Sequence, residues 1–346
     1  MRPMRKAFMA LIFILPALFS SLILVQGNAL IYEQADGSLE DITLQDDAFH
    51  GNGIRPFIEW WYFDAKLDNR YTFVLGIQVL DIFGKGIVTI RLTLYDDGVA
   101  IIKSDERFPL SDLVASSQIP SVAIAGKQLI LGTYDTQNNS FLYTITAEVP
   151  EGSFSLRFVG YTKGWKQQQQ SGDWWVVVLP RATVTGVFTL GGEEHDVTGI
   201  GYHDHNWGVD PLIVLRFGWF WGTCVTSHYT ITWADLCTTR MTQHPILVIN
   251  QNDAGYLNIP SETIWFSAEN LQFNHLRRIP WFFNIEAMTQ DVFLVVNMEV
   301  TSIDYTSFFG FINYWRYHVK CTGTLFRDGQ METVEGVSLM EYIRFR

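Results

Sequence analysis

The chain has 346 residues, 48% of them hydrophobic and 15% aromatic, including 12 Trp and 25 Phe. That supplies a sizeable core for two domains or one large β-domain, and the surplus of aromatic rings is of the kind that lines apolar ligand cavities. With 24 basic against 36 acidic side chains and a net charge of -12, it lacks the basic excess that phosphate binding requires, so no nucleic acid is expected as a partner.

Arg2, Arg5 and Lys6 make a positive start, and Ala7 to Val25 is apolar apart from two serines. Gly27-Asn28-Ala29 then supplies the small residues of a cleavage site, so residues 1–29 read as a signal segment. An uncleaved anchor is the alternative, because the apolar run is long enough to span a bilayer. Either outcome places the protein outside the cytoplasm, secreted or at the cell envelope. If the leader is cut, its three basic residues, taken from -12, leave about -15. Outside the cytoplasm the three cysteines, Cys224, Cys237 and Cys321, could hold at most one bridge. Their plainer reading is three small buried hydrophobes.

Asp41 to Asp47 is polar and reads as irregular. Glu59-Trp60-Trp61-Tyr62-Phe63-Asp64 opens an aromatic strand, and a polar turn leads to a second strand over 71–79. Residues 87–95 alternate apolar and polar and end at Asp96-Asp97-Gly98, a hairpin signal. Further strands are expected over 128–133, 140–149, 154–160, 174–179 and 184–190, and Ser111–Ser117 could form a short helical turn. The second half continues with strands over 217–226, 228–236, 245–250, 256–259, 263–270, 281–288, 291–301, 314–326 and 337–344, with Asp328-Gly329 as another hairpin turn. Short strands separated by turns predict an all-β fold of antiparallel barrels or sandwiches. Glu59–Asp64 followed by Tyr71-Thr72-Phe73 parallels Gly218-Trp219-Phe220-Trp221-Gly222-Thr223 followed by Tyr229-Thr230-Ile231. This parallel raises an internal duplication, with chance similarity of aromatic strands as its alternative.

Gly199-Ile200-Gly201-Tyr202-His203-Asp204-His205-Asn206-Trp207-Gly208 concentrates proton donors, acceptors and π-faces. Such a stretch can build a metal site, an acid–base site or the polar end of a ligand cavity. In an extended strand, His203, His205 and Trp207 share one face and Tyr202, Asp204 and Asn206 the other. A His-x-His pair is half a metal site; a third ligand would come from His195-Asp196 or His228, which lack a characteristic spacing, and no metal is expected. As acid–base groups the same residues need only a neighbour that sets their protonation. Downstream, Trp233 and Asp235 share a face, and a carboxyl beside an indole in an apolar cavity is pushed towards its neutral form. Glu59-Trp60-Trp61-Tyr62 reads either as core packing or as a wall of a lipophilic pocket. No Gly-x-Ser-x-Gly, P-loop or dinucleotide fingerprint occurs.

Glu59–Tyr62, Tyr202–Gly208, Trp219–Gly222 and Gly336–Tyr342 together resemble the hydroxyneurosporene synthase family, acyclic carotenoid hydratases and their lipocalin-like relatives. The resemblance runs from about Glu59 to the C-terminus. It implies two lipocalin-like β-barrel domains, over residues 30–185 and 186–346, with a site near their junction. It also implies cofactor-free addition of water to an isolated alkene of an acyclic carotenoid or other isoprenoid. Carried over residue by residue, the catalytic positions are His205, Trp207 and Asp235, with Trp233 where the family has a tyrosine. Asp204, Tyr202, Trp60, Tyr62, Trp219 and Trp221 are expected to bind the substrate. In the mechanism this suggests, neutral Asp235 protonates the alkene, Trp207 and Trp233 stabilise the cation, and His205 delivers water. A non-catalytic carrier of a lipophilic ligand at the cell envelope, with membrane-surface association, and a cyclase or isomerase are the competing readings.

Overall fold

A computed structural model describes residues 38–51, 55–68, 70–169, 171–215, 217–237, 244–252, 255–308 and 312–345. The leader expected over residues 1–29 lies outside them. Among the described residues no helix is long and apolar enough to cross a membrane. Twenty-three strands among the described residues account for most of the fold. They are β1 (Phe57–Leu67), β2 (Tyr71–Ile82), β3 (Lys85–Asp96), β4 (Val99–Pro109), β5 (Leu113–Ala115), β6 (Ser121–Ile124), β7 (Lys127–Asp135) and β8 (Ser140–Val149). β9 (Gly152–Gly160), β10 (Trp165–Gln168), β11 (Trp174–Leu190) and β12 (Glu193–Val209) complete the first sheet. The second half contributes β13 (Gly218–Val225), β14 (Tyr229–Cys237), β15 (Pro245–Gln251), β16 (Gly255–Ile259), β17 (Ile264–Glu269), β18 (Gln272–Asn274) and β19 (Arg277–Ile279). β20 (Phe282–Met288), β21 (Val292–Phe308), β22 (Ile312–Arg327) and β23 (Gln330–Arg344) follow.

All pairings are antiparallel. The first sheet runs β4-β3-β2-β1-β12-β11-β9-β8-β7-β6-β5 and curls into a nearly closed barrel, with β10 on β11. The second runs β16-β15-β14-β13-β23-β22-β21-β20-β17 and forms a half-barrel. This is the all-β, lipocalin-like fold that the sequence predicts, with its second barrel half formed. The expected Asp-Gly hairpins are present: Asp97 and Gly98, and Asp328 and Gly329, all have the positive φ that a tight hairpin turn needs. Around 110–117 the helical turn shrinks to one 3-10 turn at Leu110–Asp112.

The two strand orders match position for position, β1–β4 to β13–β16, β7–β9 to β17, β20 and β21, and β11–β12 to β22–β23. The aromatic parallel in the sequence therefore falls on equivalent strands, β1 and β13. A division at 185/186, however, would cut through β11. The Gly191-Gly192 turn that follows it is a hairpin within the first sheet, where Leu190 pairs with Glu193. The chain leaves that sheet after Val209 and enters the second at Gly218.

Alternation along the strands sorts side chains into three apolar layers. One fills the first barrel (Trp61, Phe63, Phe73, Phe158, Phe188) and another the second (Phe220, Trp233, Phe283, Trp315, Tyr317). The third joins the two sheets and is built from Tyr62, Tyr95, Trp165, Trp175, Tyr202 and Trp221. Cys224, Cys237 and Cys321 are buried with free thiols, as small core residues.

Candidate active site

β12 pairs with β1 so that Trp61 faces His205, Tyr62 faces Asp204, Phe63 faces His203 and Asp64 faces Tyr202. Residues two apart share a face, so the Gly199–Gly208 stretch is divided in two. His203 and His205 turn into the first barrel; Tyr202 and Asp204 turn towards the second.

Inside the first barrel the histidines meet carboxylates. His203 Nε2 lies 3.0 Å from Asp47 Oδ2 and its Nδ1 lies 2.9 Å from the Tyr62 carbonyl. His205 Nε2 lies 2.9 Å from Glu59 Oε1. Its Nδ1 sits 3.2 Å from Asp47 Oδ1, off the line of a hydrogen bond, so both atoms lack a hydrogen-bond partner. Tyr143 donates to Asp47, and the His50 backbone N–H donates to Glu59. Rings clamp the imidazoles: Phe63 stacks on His203, Trp61 on His205 and Trp207 on His50. Burial opposes a charge on His205, but Asp47 and Glu59 outweigh it and push its pKa up to about 9. Burial also opposes ionisation of Asp47, and His203 and His205 outweigh that and hold it well below the usual carboxylate range.

The junction face has a different chemistry. Asp204 is buried; Trp175 Nε1 and the Tyr202 hydroxyl donate to its Oδ2 at 3.0 and 2.8 Å, and Asn206 Nδ2 to its Oδ1 at 3.3 Å. Burial outweighs these bonds and pushes its pKa up to about 7. Asp64 is fully buried, and burial, opposed by the charge of Lys66, pushes it up to about 6. Neither Asp64 oxygen, nor the Tyr62 hydroxyl, nor Trp221 Nε1 has a hydrogen-bond partner. Tyr62 leans towards Asp64 and Trp221 towards Tyr202, but neither reaches hydrogen-bonding geometry. Four such buried polar atoms lie close together here, groups that an ordered water or a polar part of a ligand would satisfy. Tyr62 meets Trp221 edge-on at 5.4 Å, Tyr202 lies 4.9 Å from Trp221, and Trp60 stacks on Trp219 with planes 4° apart.

Equivalent positions of the two sheets show why nothing offsets the effect of burial on Asp204. Tyr62 pairs with Asp204 as Trp221 pairs with Glu341, and Val177 pairs with Asp204 as Arg316 pairs with Glu341. Glu341 has the Arg316 guanidinium at 3.1 Å. Asp204 has an isopropyl group in that place.

The residues expected to bind substrate are therefore brought together: Tyr62, Tyr202, Asp204 and Trp221 meet at the junction, with Trp60 and Trp219 packed beside them. The expected catalytic set is not. His205 and Trp207 belong to the first barrel's interior. Asp235 and Trp233 face the second, opposite Phe220 and beside Cys237. Asp235 accepts from the His244 backbone N–H at 3.1 Å, and burial pushes its pKa up to about 6. A composite of His205 and Asp235 is not formed, because strand alternation turns each inward within its own barrel. His195 and His228 do not complete a metal site either; His195 stacks on Phe188, and His228 pairs with Glu332 at the surface. Sequence reasoning missed Asp47, placed in an irregular stretch, and Asp64, Trp175 and Arg316. The usable signal was Asp64 at even spacing from Trp60 and Tyr62, a charge on a face of rings.

No family model matches the chain. It is 24% identical over 225 residues to the quinolone epoxide rearrangement protein asqO of Emericella nidulans, covering 58% of this chain and 60% of that one. It is 25% identical over 216 residues to the hydroxyneurosporene dehydrogenase of Chlorobaculum tepidum, covering 51% and 55%. The chain thus spans little more than half the length of these curated relatives. Among solved structures, an AttH-type protein of Nitrosomonas europaea superposes with a TM-score of 0.62 at 14% identity, over 93% of this chain and 99% of that one. Kievitone hydratase of Nectria haematococca superposes with a TM-score of 0.52 at 12% identity, over 86% and 93%. The chain shares its fold with these proteins, which is consistent with the lipocalin-like, carotenoid-hydratase-like family that its Tyr202–Gly208 motif resembles.

Proposed function

We propose that the protein is a hydratase- or isomerase-type enzyme that works by acid catalysis on an apolar small molecule at the junction of its two sheets. The observation that carries this reading is a buried carboxyl, Asp204, held near half-protonation among the aromatic rings of the junction layer and beside partnerless polar atoms. Asp204 would transfer its proton to one carbon of an alkene, leaving a cation on the more substituted carbon. Tyr62, Tyr202 and Trp221 present π-faces to that cation, an interaction worth about 2 kcal/mol when desolvated. Water adds to the cation and gives up a proton to Asp64, whose lower pKa leaves it largely ionised at neutral pH. Proton exchange with solvent then restores both carboxyls. In this reading the acid is Asp204, in place of Asp235.

The named relatives support the reaction class, an epoxide rearrangement protein and a hydratase among them. An acyclic carotenoid or other isoprenoid as substrate, and a location outside the cytoplasm at a membrane surface where such molecules partition, belong to the same proposal. To test it, the purified protein is incubated with acyclic polyenes and terpenoids, and products are followed by mass spectrometry. A gain of one water, or an isomer of unchanged mass, formed by wild type and lost in Asp204→Asn with ligand binding retained, is expected. Turnover unchanged in Asp204→Asn would overturn the assignment. A ligand held tightly and recovered unaltered would make the protein a carrier.

A further inference from the structure

The charged cluster inside the first barrel takes no part in the junction chemistry, and its geometry points to a use of its own. We infer that His50, Glu59 and His205 form a binding site for a divalent cation of the zinc class. Each offers one ligand atom, and the three atoms lie within 4.8 Å of one another. His205 Nε2 is 2.9 Å and His50 Nδ1 3.8 Å from Glu59 Oε1. Ligand atoms around a tetrahedral zinc with bonds of about 2.0–2.1 Å lie about 3.3 Å apart, so small side-chain adjustments close the set. His50 Nδ1 is buried without a hydrogen-bond partner, which is the state of a nitrogen waiting for one.

The surroundings fit. Asp47 lies against Nδ1 of His205, the place where a carboxylate orients a metal-bound imidazole. Trp61 stacks on His205 at 4.6 Å and Trp207 on His50 at 3.9 Å, so both ligand rings are held in orientation. Glu59 and Asp47 together neutralise a dication, and the proton between His205 Nε2 and Glu59 leaves to solvent as the metal enters. The His50 side chain is 24% exposed, which opens a way in. Two histidines and one glutamate leave a fourth position for water, as in hydrolytic zinc sites. Because the cluster faces the barrel interior and Asp204 faces the junction, this inference stands or falls apart from the proposed function.

The full chain, stripped with chelator, is titrated with zinc chloride in a calorimeter, and bound metal is counted by elemental analysis. One equivalent is expected with a Kd below about 1 µM, weakened at least tenfold by His50→Ala and by Glu59→Gln, and unchanged by His228→Ala at the surface pair. X-ray absorption should give a nitrogen and oxygen shell with two imidazoles. Should a variant fail to fold, His50→Gln replaces it, with the zinc-dependent rise in melting temperature of wild type as the reference that His50→Gln should lack. No stoichiometric zinc on wild type, or equal affinity in the His50 variants, overturns the inference.

Discussion

Replacing Asp204 by Asn keeps the side chain's outline while removing its proton and its charge. In the fold this carboxyl moves from the ordinary 3.8 to about 7. At 1.36 kcal/mol for each tenfold change, the ionised form costs the fold about 4 kcal/mol. The folded value is the raised one, so the stability associated with Asp204 is fully present below about pH 4. It is lost as the pH rises towards about 7. Asn carries no such loss. Its Oδ1 can accept from Trp175 and Tyr202, while its amide nitrogen faces Asn206 Nδ2, a mismatch of about 1 kcal/mol. The variant should therefore be slightly less stable than wild type at about pH 4 and more stable by about 3 kcal/mol at about pH 8. At the same time its turnover should fall by about a hundredfold or more, as expected on removing a general acid. Urea midpoints across that pH range measure the first effect, and product formation the second. A stability difference that does not change with pH, or a variant less stable than wild type at pH 8, would refute the reasoning.

Arg316→Met leaves Glu341 buried without its guanidinium and should cost about 3–5 kcal/mol; the double variant with Glu341→Leu should recover most of it, as read by urea denaturation. Asp47→Asn strips the carboxylate from between His203 and His205 and should cost about 3 kcal/mol or more, seen as a lowered melting temperature. Trp221→Phe removes a buried donor with no partner, so stability should change by less than about 1 kcal/mol, while the smaller π-face slows turnover severalfold in the product assay.

Period-two alternation makes the strands readable in the sequence, and it also divides Gly199–Gly208 into the two faces that the fold shows. What alternation cannot supply is which side of a sheet is the inside. His205 and Asp235 both read as inward residues, and both are, but of different barrels. Long-range pairing also has no local signature: Asp47 reaches His203 from a 3-10 turn at Leu44–Asp47 far away in the chain. His50, in a stretch without pattern, is likewise legible only once Glu59 is placed beside it.

The stacked pair Trp60 and Trp219 occupies equivalent positions on equivalent strands. Two like residues touching each other is what a two-fold axis produces in a dimer of identical subunits. In such a dimer any change at the contact is made twice, so a proton donor on one side arrives with a copy of itself on the other. Joining the halves in one polypeptide removes that coupling. Val177 and Arg316 can then differ, and with them the ionic character of Asp204 and Glu341. The fused chain can hold an acid on one side of its axis and a fixed ion pair on the other, an asymmetry that no symmetric assembly of a single barrel could encode.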